Sequence, residues 1–264
     1  RYAVCTGGED FPGRRRALGT GLTLLGAAGV LLTALYLLFG VGVLRLFGAR
    51  GEVLELAREY LTWVTLGAVF QVLGTGLVPF LRNMGCSVAA MAAMMAGFAS
   101  NIVLDWLFVW VIPWGMAGAA VATVLGQGVT FLVCAAVMLR RGEKPALGDA
   151  ALFRRILWAA LSPFGLTFSP NLTLIFVNKS AVLAGGDSAV ACYAAISYLT
   201  CVVLLLIQGV TDGSQPLLSL AHGRGDERGV LTLRGMTLAG ALLTAGVCAG
   251  ALFLLRSGAA ALFG

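Results

Sequence analysis

An aspartate interrupts a long apolar run, and polar residues lie near it at helical spacing. Asp105 lies within NIVLDWLFVWVIP, and Asn101 precedes it by four residues, so both side chains share one face of a predicted helix. The Ile112-Pro113-Trp114 break predicts a hairpin that brings Thr123 level with Asp105 and Gln127 level with Asn101. Ionisable residues inside membrane helices usually face the bundle interior and mark a proton or ion path. The hairpin is therefore predicted to form half of a small-cation site.

A structural role is the alternative for this aspartate. An acidic side chain close to the outer end of a membrane helix can cap that end or pack near the interface without binding an ion. Loss of cation coupling when Asp105 is replaced by Asn distinguishes the two roles.

The composition is that of an integral membrane protein. The chain of 264 residues is 59% hydrophobic and 11% charged, and its mean hydropathy is +0.93. Several apolar runs exceed the roughly 18 residues that indicate a membrane helix. We predict an all-α bundle of seven transmembrane helices, with residues 1–16 as a cytoplasmic loop. The predicted helices lie near residues 17–44, 57–81, 88–112, 115–139, 153–183, 188–220 and 230–255.

The formal charge of +6 follows the predicted topology. Most basic residues flank the start of the first predicted helix and the ends of the second, fourth and sixth, whereas the opposite ends carry few. By the positive-inside rule these ends are cytoplasmic, and so is the N-terminal end of the chain. The excess of basic residues at these ends therefore predicts a multi-pass protein of the cytoplasmic membrane. The lipid bilayer is the expected partner, and binding to nucleic acid is not expected. The scattered cysteines predict no metal site.

Polar residues in the other predicted helices are candidates for lining a substrate cavity. Gln71 lies in the second helix, where an interhelical hydrogen bond is the favoured alternative. Asn171 and Asn178 lie two turns apart on one face of the fifth helix, which Pro163 and Pro170 interrupt.

A further stripe lies at the end of the sixth predicted helix. Gln208, Asp212 and Gln215 are spaced at i, i+4 and i+7 and therefore share one face. This face either lines a cavity or allows Asp212 to pair with a neighbouring helix end.

The sequence contains an internal repeat with an offset of 216 residues. Gly7, Asp10 and Gly13 then coincide with Gly223, Asp226 and Gly229, just before the first and seventh predicted helices. The repeat is parallel and contains six helices, an arrangement found in transporters. We therefore predict one lobe in residues 1–145 and the start of a second in 146–264. Two complete units would have about twelve helices, so this chain is expected to lack helices at both ends.

Three segments of the sequence resemble the multidrug and toxic compound extrusion (MATE) family. They are RNMGCSVAAMAAMMAGFASNIVLDWLFVW, WGMAGAAVATVLGQ and QGVTDGSQPLLSLAHGRGDER. The resemblance runs from the third to the ninth of the family's twelve helices. It implies two six-helix lobes around a central cavity, and export of cationic or amphipathic compounds in exchange for protons or sodium ions.

The resemblance also implies site residues. Family members with a cation site in the first lobe use an Asn and an Asp one turn apart and a Thr on the next helix. These positions are occupied here by Asn101, Asp105 and Thr123. The family site includes a further Asp on its first helix, which this chain does not contain.

The rival interpretations are a lipid-linked oligosaccharide flippase of related fold, a membrane-embedded enzyme and an inert fragment. A flippase cavity is expected to be lined by several basic residues, but Lys179 is the only basic residue away from the predicted helix ends. An enzyme requires a nucleophile–base pair or metal ligands, and the one histidine, His222, lies in a predicted loop. We therefore expect a bacterial, monomeric transporter that is not an enzyme, has no cofactor and uses a proton or sodium as coupling ion.

Overall fold

The computed structural model is helical in the part of the chain that it describes. It describes residues 1–46, 49–148 and 150–254, apart from the side chains of residues 171, 178, 182, 184, 186–192 and 195. A π-helical segment, Trp106–Val111, joins two of the α-helices. The α-helices are α1 (Tyr2–Gly7), α2 (Phe11–Leu46), α3 (Gly51–Leu66), α4 (Ala68–Asn83), α5 (Ser87–Asp105), α6 (Gly115–Arg140), α7 (Ala150–Gly223) and α8 (Glu227–Leu254).

The helices confirm a multi-span membrane protein. Six helical segments within the described residues are long and apolar enough to cross a membrane, and α3 with α4 makes a seventh if that bent pair is one span. The six segments are Phe11–Leu46, Ser87–Val111, Gly115–Arg140, Ala150–Ala181, Ile196–Gly223 and Glu227–Leu254. The predicted all-α class is therefore correct, and the seven predicted spans agree with the count in which α3 and α4 form one span.

The predicted N-terminal loop is wrong, because residues 2–7 form α1 and α2 already begins at Phe11. The carboxylate of Asp10 explains the early start of α2. Its Oδ1 accepts a hydrogen bond of 2.8 Å from the N–H of Gly13, which satisfies one of the free donors at a helix start. Pro12 is tolerated because the first turn needs no donor at that position.

The second predicted helix, residues 57–81, is wrong as a single straight helix. It is divided at Gly67 into α3 and α4, which bend by 57°. A Cβ atom at Gly67 would collide with the side chain of Val124 on α6. The absence of a side chain therefore allows the bend to lie directly against α6.

The predicted break between residues 183 and 188 is also wrong, since α7 continues without interruption from Ala150 to Gly223. Gly185, Gly186 and Asp187 lie at the predicted break. Alanines on both sides of these residues have the highest helix propensity, and the backbone stays helical through the glycines. Two membrane-length segments, Ala150–Ala181 and Ile196–Gly223, lie within this one helix.

The chain folds as two compact units. The first contains Arg1–Tyr2 and Asp10–Gly148, and the second contains Ala3–Glu9 and Asp149–Gly264. In the first unit, α4, α5 and α6 meet around buried Leu81, Ala90 and Cys134. The predicted division into lobes after residue 145 stays a prediction.

The turns that precede α2 and α8 have the same hydrogen bonds. Asp226 Oδ1 accepts from the N–H of Gly229 at 2.8 Å, as Asp10 Oδ1 does from Gly13. At both glycines an added Cβ would collide with this carboxylate. The repeated Asp-x-x-Gly pattern therefore encodes a helix cap in which the glycine makes room for the aspartate side chain.

Candidate functional site

The candidate site lies where α5 changes from α-helix to π-helix. Asn101 occupies the turn of α5 before Asp105, and Asp105 is the last residue of α5. In the π-helical segment the N–H of Ile112 donates to Leu107 O at 2.9 Å, which is the i→i+5 pattern. Segments of this kind are frequent at functional sites.

Aromatic stacking and a glycine close the hairpin that follows. The ring of Phe108 stacks on that of Trp114 with a centroid separation of 4.9 Å. A Cβ at Gly118 would lie 2.7 Å from Phe108 O, so only glycine fits there. The π-helical segment, Pro113 and these contacts turn the chain directly into α6.

Small residues set the register between α5 and α6. A Cβ at Gly126 would lie 2.9 Å from the Cβ of Asn101, so the two helices touch at this level. Phe108 touches Gly118 nearer the hairpin. Because the helices are antiparallel, Asp105 falls between these contacts, level with the turn of α6 that contains Thr123.

Two buried polar side-chain atoms of α5 make no hydrogen bond to the described residues. Asp105 Oδ1 and Asn101 Nδ2 are both buried without a hydrogen-bond partner among the described residues. Such groups are rare and costly in folded proteins. A carboxylate oxygen of this kind is a ligand for a proton or a hard cation such as sodium, and rotation of the Asn101 amide exchanges its nitrogen for an oxygen ligand.

Thr123 and Gln127 differ in their surroundings on α6. The Thr123 hydroxyl donates to Ala119 O at 3.0 Å, so its lone pairs remain available to accept a bond or to bind a cation. Gln127 lies against α4, because a Cβ at Gly74 would be 3.4 Å from Gln127 Oε1. Gly126, the residue before Gln127, is in contact with Asn101. The inclusion of Gln127 and Thr123 in one ligand set with Asp105 stays a prediction.

The predicted cavity residues are partly described. Gln71 on α4 is exposed, as are Gln208 and Gln215 on α7, whereas Asp212 is half-buried. Gln215 Nε2 donates to Ser219 Oγ at 3.4 Å. The side chains of Asn171 and Asn178 lie outside those that the structure describes. A role of these six residues in a cavity stays a prediction.

Sequence reasoning missed a polar cluster around Glu143 in the first unit. The carboxylate of Glu143 lies 3.0 Å from the Arg14 guanidinium and accepts a hydrogen bond of 3.0 Å from the Tyr2 hydroxyl. Burial, followed by the hydrogen bond and charge of Glu143, raises the pKa of Tyr2 to about 12. The opposite charges of Arg14 and Glu143 were the available signal, but 129 residues separate them.

The fold is that of a helical, multi-span membrane protein with a buried, unbonded carboxylate oxygen at the end of α5. Residues 1–107 match the MatE family model. The multidrug export protein MepA of Staphylococcus saprophyticus is 28% identical over 183 residues, which are 67% of this chain and 40% of that protein. MepA of Staphylococcus aureus is 25% identical over 199 residues, covering 73% of this chain and 44% of that protein.

Solved structures agree with these matches. A MOP superfamily transporter from Pyrococcus furiosus superimposes with a TM-score of 0.92 and 27% identity, over 99% of this chain and 60% of that one. A MATE transporter in the bent conformation gives 0.87 and 28%, with the same coverage. The chain is therefore similar to MATE transporters in sequence over its first 107 residues and in fold over nearly its whole length. It spans 40% and 44% of the two curated relatives.

Proposed function

We propose that the chain is part of a cation-coupled antiporter that exports cationic or amphipathic compounds across the cytoplasmic membrane. The observation that carries this proposal is the buried, unpaired Oδ1 of Asp105, one helical turn from Asn101. Relatives named multidrug export proteins support drug-like substrates over the flippase and enzyme alternatives.

The proposed role of Asp105 follows from the cost of burying a charge. An ionised carboxylate without a partner is unfavourable in a membrane interior. A proton removes this cost by neutralising Asp105, and a sodium ion removes it by pairing with the carboxylate, with Asn101 and Thr123 as neutral ligands. The cation therefore favours the arrangement of the first unit in which Asp105 is enclosed. Export of the drug is driven when cation uptake and drug release favour the same arrangement.

The proposed substrate contacts come from the polar residues on α4 and α7. Exposed amides, such as that of Gln71, give hydrogen bonds without strong selectivity, and the carboxylate of Asp212 would attract a cationic substrate. Gln208 and Gln215 flank Asp212 on the same face, and Asn171 and Asn178 are the proposed contacts from the first half of α7.

The proposed orientation places the N-terminal end of the chain in the cytoplasm. It rests on the basic residues at that end, including Arg15 and Arg16, which are exposed at the start of α2. We propose a bacterial, monomeric protein in the cytoplasmic membrane, and the staphylococcal relatives support the bacterial origin.

Efflux of a fluorescent organic cation from cells that produce the protein tests the proposal. Asp105→Asn is expected to abolish efflux driven by an imposed proton or sodium gradient while membrane insertion stays intact. Asp10→Asn is the matched control, because it removes the same charge and Asn remains a good helix cap. Full efflux by Asp105→Asn would reject the role of Asp105, and no efflux by the unaltered chain would favour the inert fragment.

A further inference from the structure

The connection from α6 to α7 is fixed along α2 in the first unit. The linker, residues 141–148, bonds to α2 at three points. The N–H of Ala146 donates to Arg15 O at 3.0 Å, Arg15 Nε donates to Lys144 O at 2.9 Å, and the N–H of Gly148 donates to Thr20 Oγ1 at 3.0 Å. The linker therefore has a defined position against the start of α2.

Docking of the linker hides its only negative charge. Glu143 is the one acidic residue in the linker. Its carboxylate forms an ion pair with Arg14 at 3.0 Å and accepts a hydrogen bond from the Tyr2 hydroxyl. The side chains that the linker leaves exposed are consequently basic or apolar.

The docked linker and α2 together present a basic surface, formed by exposed Arg15, Arg16, Arg141 and Lys144. The bond from Arg15 Nε to Lys144 O brings two of these cationic residues side by side. Leu147 in the linker is 75% exposed. The basic surface lies at the ends of the spans Phe11–Leu46 and Gly115–Arg140, which is the level of the lipid headgroups.

We propose that the basic surface binds the headgroups of anionic phospholipids in the cytoplasmic leaflet. Arginine binds phosphate oxygens through paired N–H groups, and lysine adds a point charge. Leu147 supplies an apolar contact for the acyl region next to that headgroup. This proposal relies on the proposed orientation, but it does not depend on transport, since lipid binding is measured on the purified protein.

The test measures lipid binding to the purified full chain in a neutral detergent by native mass spectrometry. The probe is dioleoylphosphatidylglycerol, and dioleoylphosphatidylcholine is the uncharged comparison. The double variant Arg15→Gln/Lys144→Gln is expected to bind phosphatidylglycerol about 25-fold more weakly, from about fivefold for each removed charge. The double variant Arg50→Gln/Arg58→Gln removes two exposed charges at the opposite helix ends and is expected to bind like the unaltered chain.

A charge-preserving double variant, Arg15→Lys/Lys144→Arg, keeps the test independent of folding and is expected to retain binding. Inorganic phosphate at the same concentration is expected not to displace the lipid. Unchanged lipid affinity in Arg15→Gln/Lys144→Gln, equal loss in the Arg50/Arg58 control, or full displacement by inorganic phosphate would each overturn the proposal. A protein that binds phosphatidylglycerol as predicted but exports nothing would leave this proposal standing and reject the proposed function.

Discussion

Gly7 and Gly223 occupy equivalent positions in the two repeats, and each lies against the backbone of the other's helix. An added Cβ at Gly7 would collide with Leu220 O, and one at Gly223 would collide with Val4 O. Val4 and Leu220 are themselves 216 residues apart, the offset of the repeat. Within the second unit, α1 and the end of α7 therefore cross through a contact in which each helix presents equivalent positions of the repeat.

Substitution at this crossing is expected to destabilise the second unit. Gly223→Ala places a Cβ atom into the Val4 carbonyl, and overpacking of this kind costs about 1–3 kcal/mol. Thermal unfolding in detergent measures the loss. Gly235→Ala on α8 is the control, because a Cβ there meets no atom within 4 Å and removes a helical glycine. Equal stability of the two variants would show that the crossing is not tight.

The aspartate caps of α2 and α8 are expected to contribute equally to the stability of the protein. Asp10→Ala and Asp226→Ala each remove a cap bond of 2.8 Å, which typically costs about 1 kcal/mol of stability. Asp10→Asn and Asp226→Asn should retain most of the stability that the caps contribute. The same unfolding measurement compares all four variants, and an Ala variant as stable as its Asn counterpart would contradict the assignment.

A glycine at position 9 is expected to stabilise the turn before α2. Glu9 has a φ of 56°, and Gly225, its equivalent in the repeat, has a φ of 72°. A non-glycine residue in this left-handed region costs about 1–2 kcal/mol. Glu9→Gly should therefore raise the unfolding temperature, while Gly225→Ala should lower it. A lower unfolding temperature for Glu9→Gly would indicate that the Glu9 side chain stabilises the turn in another way.

Stability is expected to fall at high pH through Tyr2. Because the folded pKa of Tyr2 is raised from 10.0 to about 12, the unfolded chain loses this proton first as the pH rises. The contribution of the protonated Tyr2 hydroxyl to stability is complete below about pH 10 and is lost progressively between about pH 10 and 12. Tyr2→Phe should show a smaller loss of stability between about pH 10 and 12 than the unaltered chain. Identical pH profiles would contradict a buried, neutral Tyr2.

Local spacing predicted the features that depend on one helix. The shared helix face of Asn101 and Asp105 and the repeated Asp-x-x-Gly pattern could be found in the sequence because they involve residues three or four positions apart. The helix caps that this pattern forms were not predicted, and a loop was expected in place of the first cap. The predicted level of Thr123 rests on the position of Pro113, where the hairpin turns.

The features that escaped prediction depend on distant contacts or on a balance of local preferences. The bend at Gly67 accompanies its contact with Val124 on α6, and hydropathy carries no information about that contact. Glu143 is 129 residues from Arg14. At residues 183–188 the alanine-rich flanks outweighed the paired glycines, so the backbone stayed helical.

Infrared difference spectroscopy of the purified protein tests the central claim most directly, because it observes carboxyl groups while pH and sodium concentration are varied. The unaltered chain is expected to show a carboxyl band that changes with protonation or with sodium binding. This band should disappear in Asp105→Asn and persist in Asp212→Asn. An unchanged spectrum in Asp105→Asn would contradict the assignment of Asp105 as the cation-binding residue.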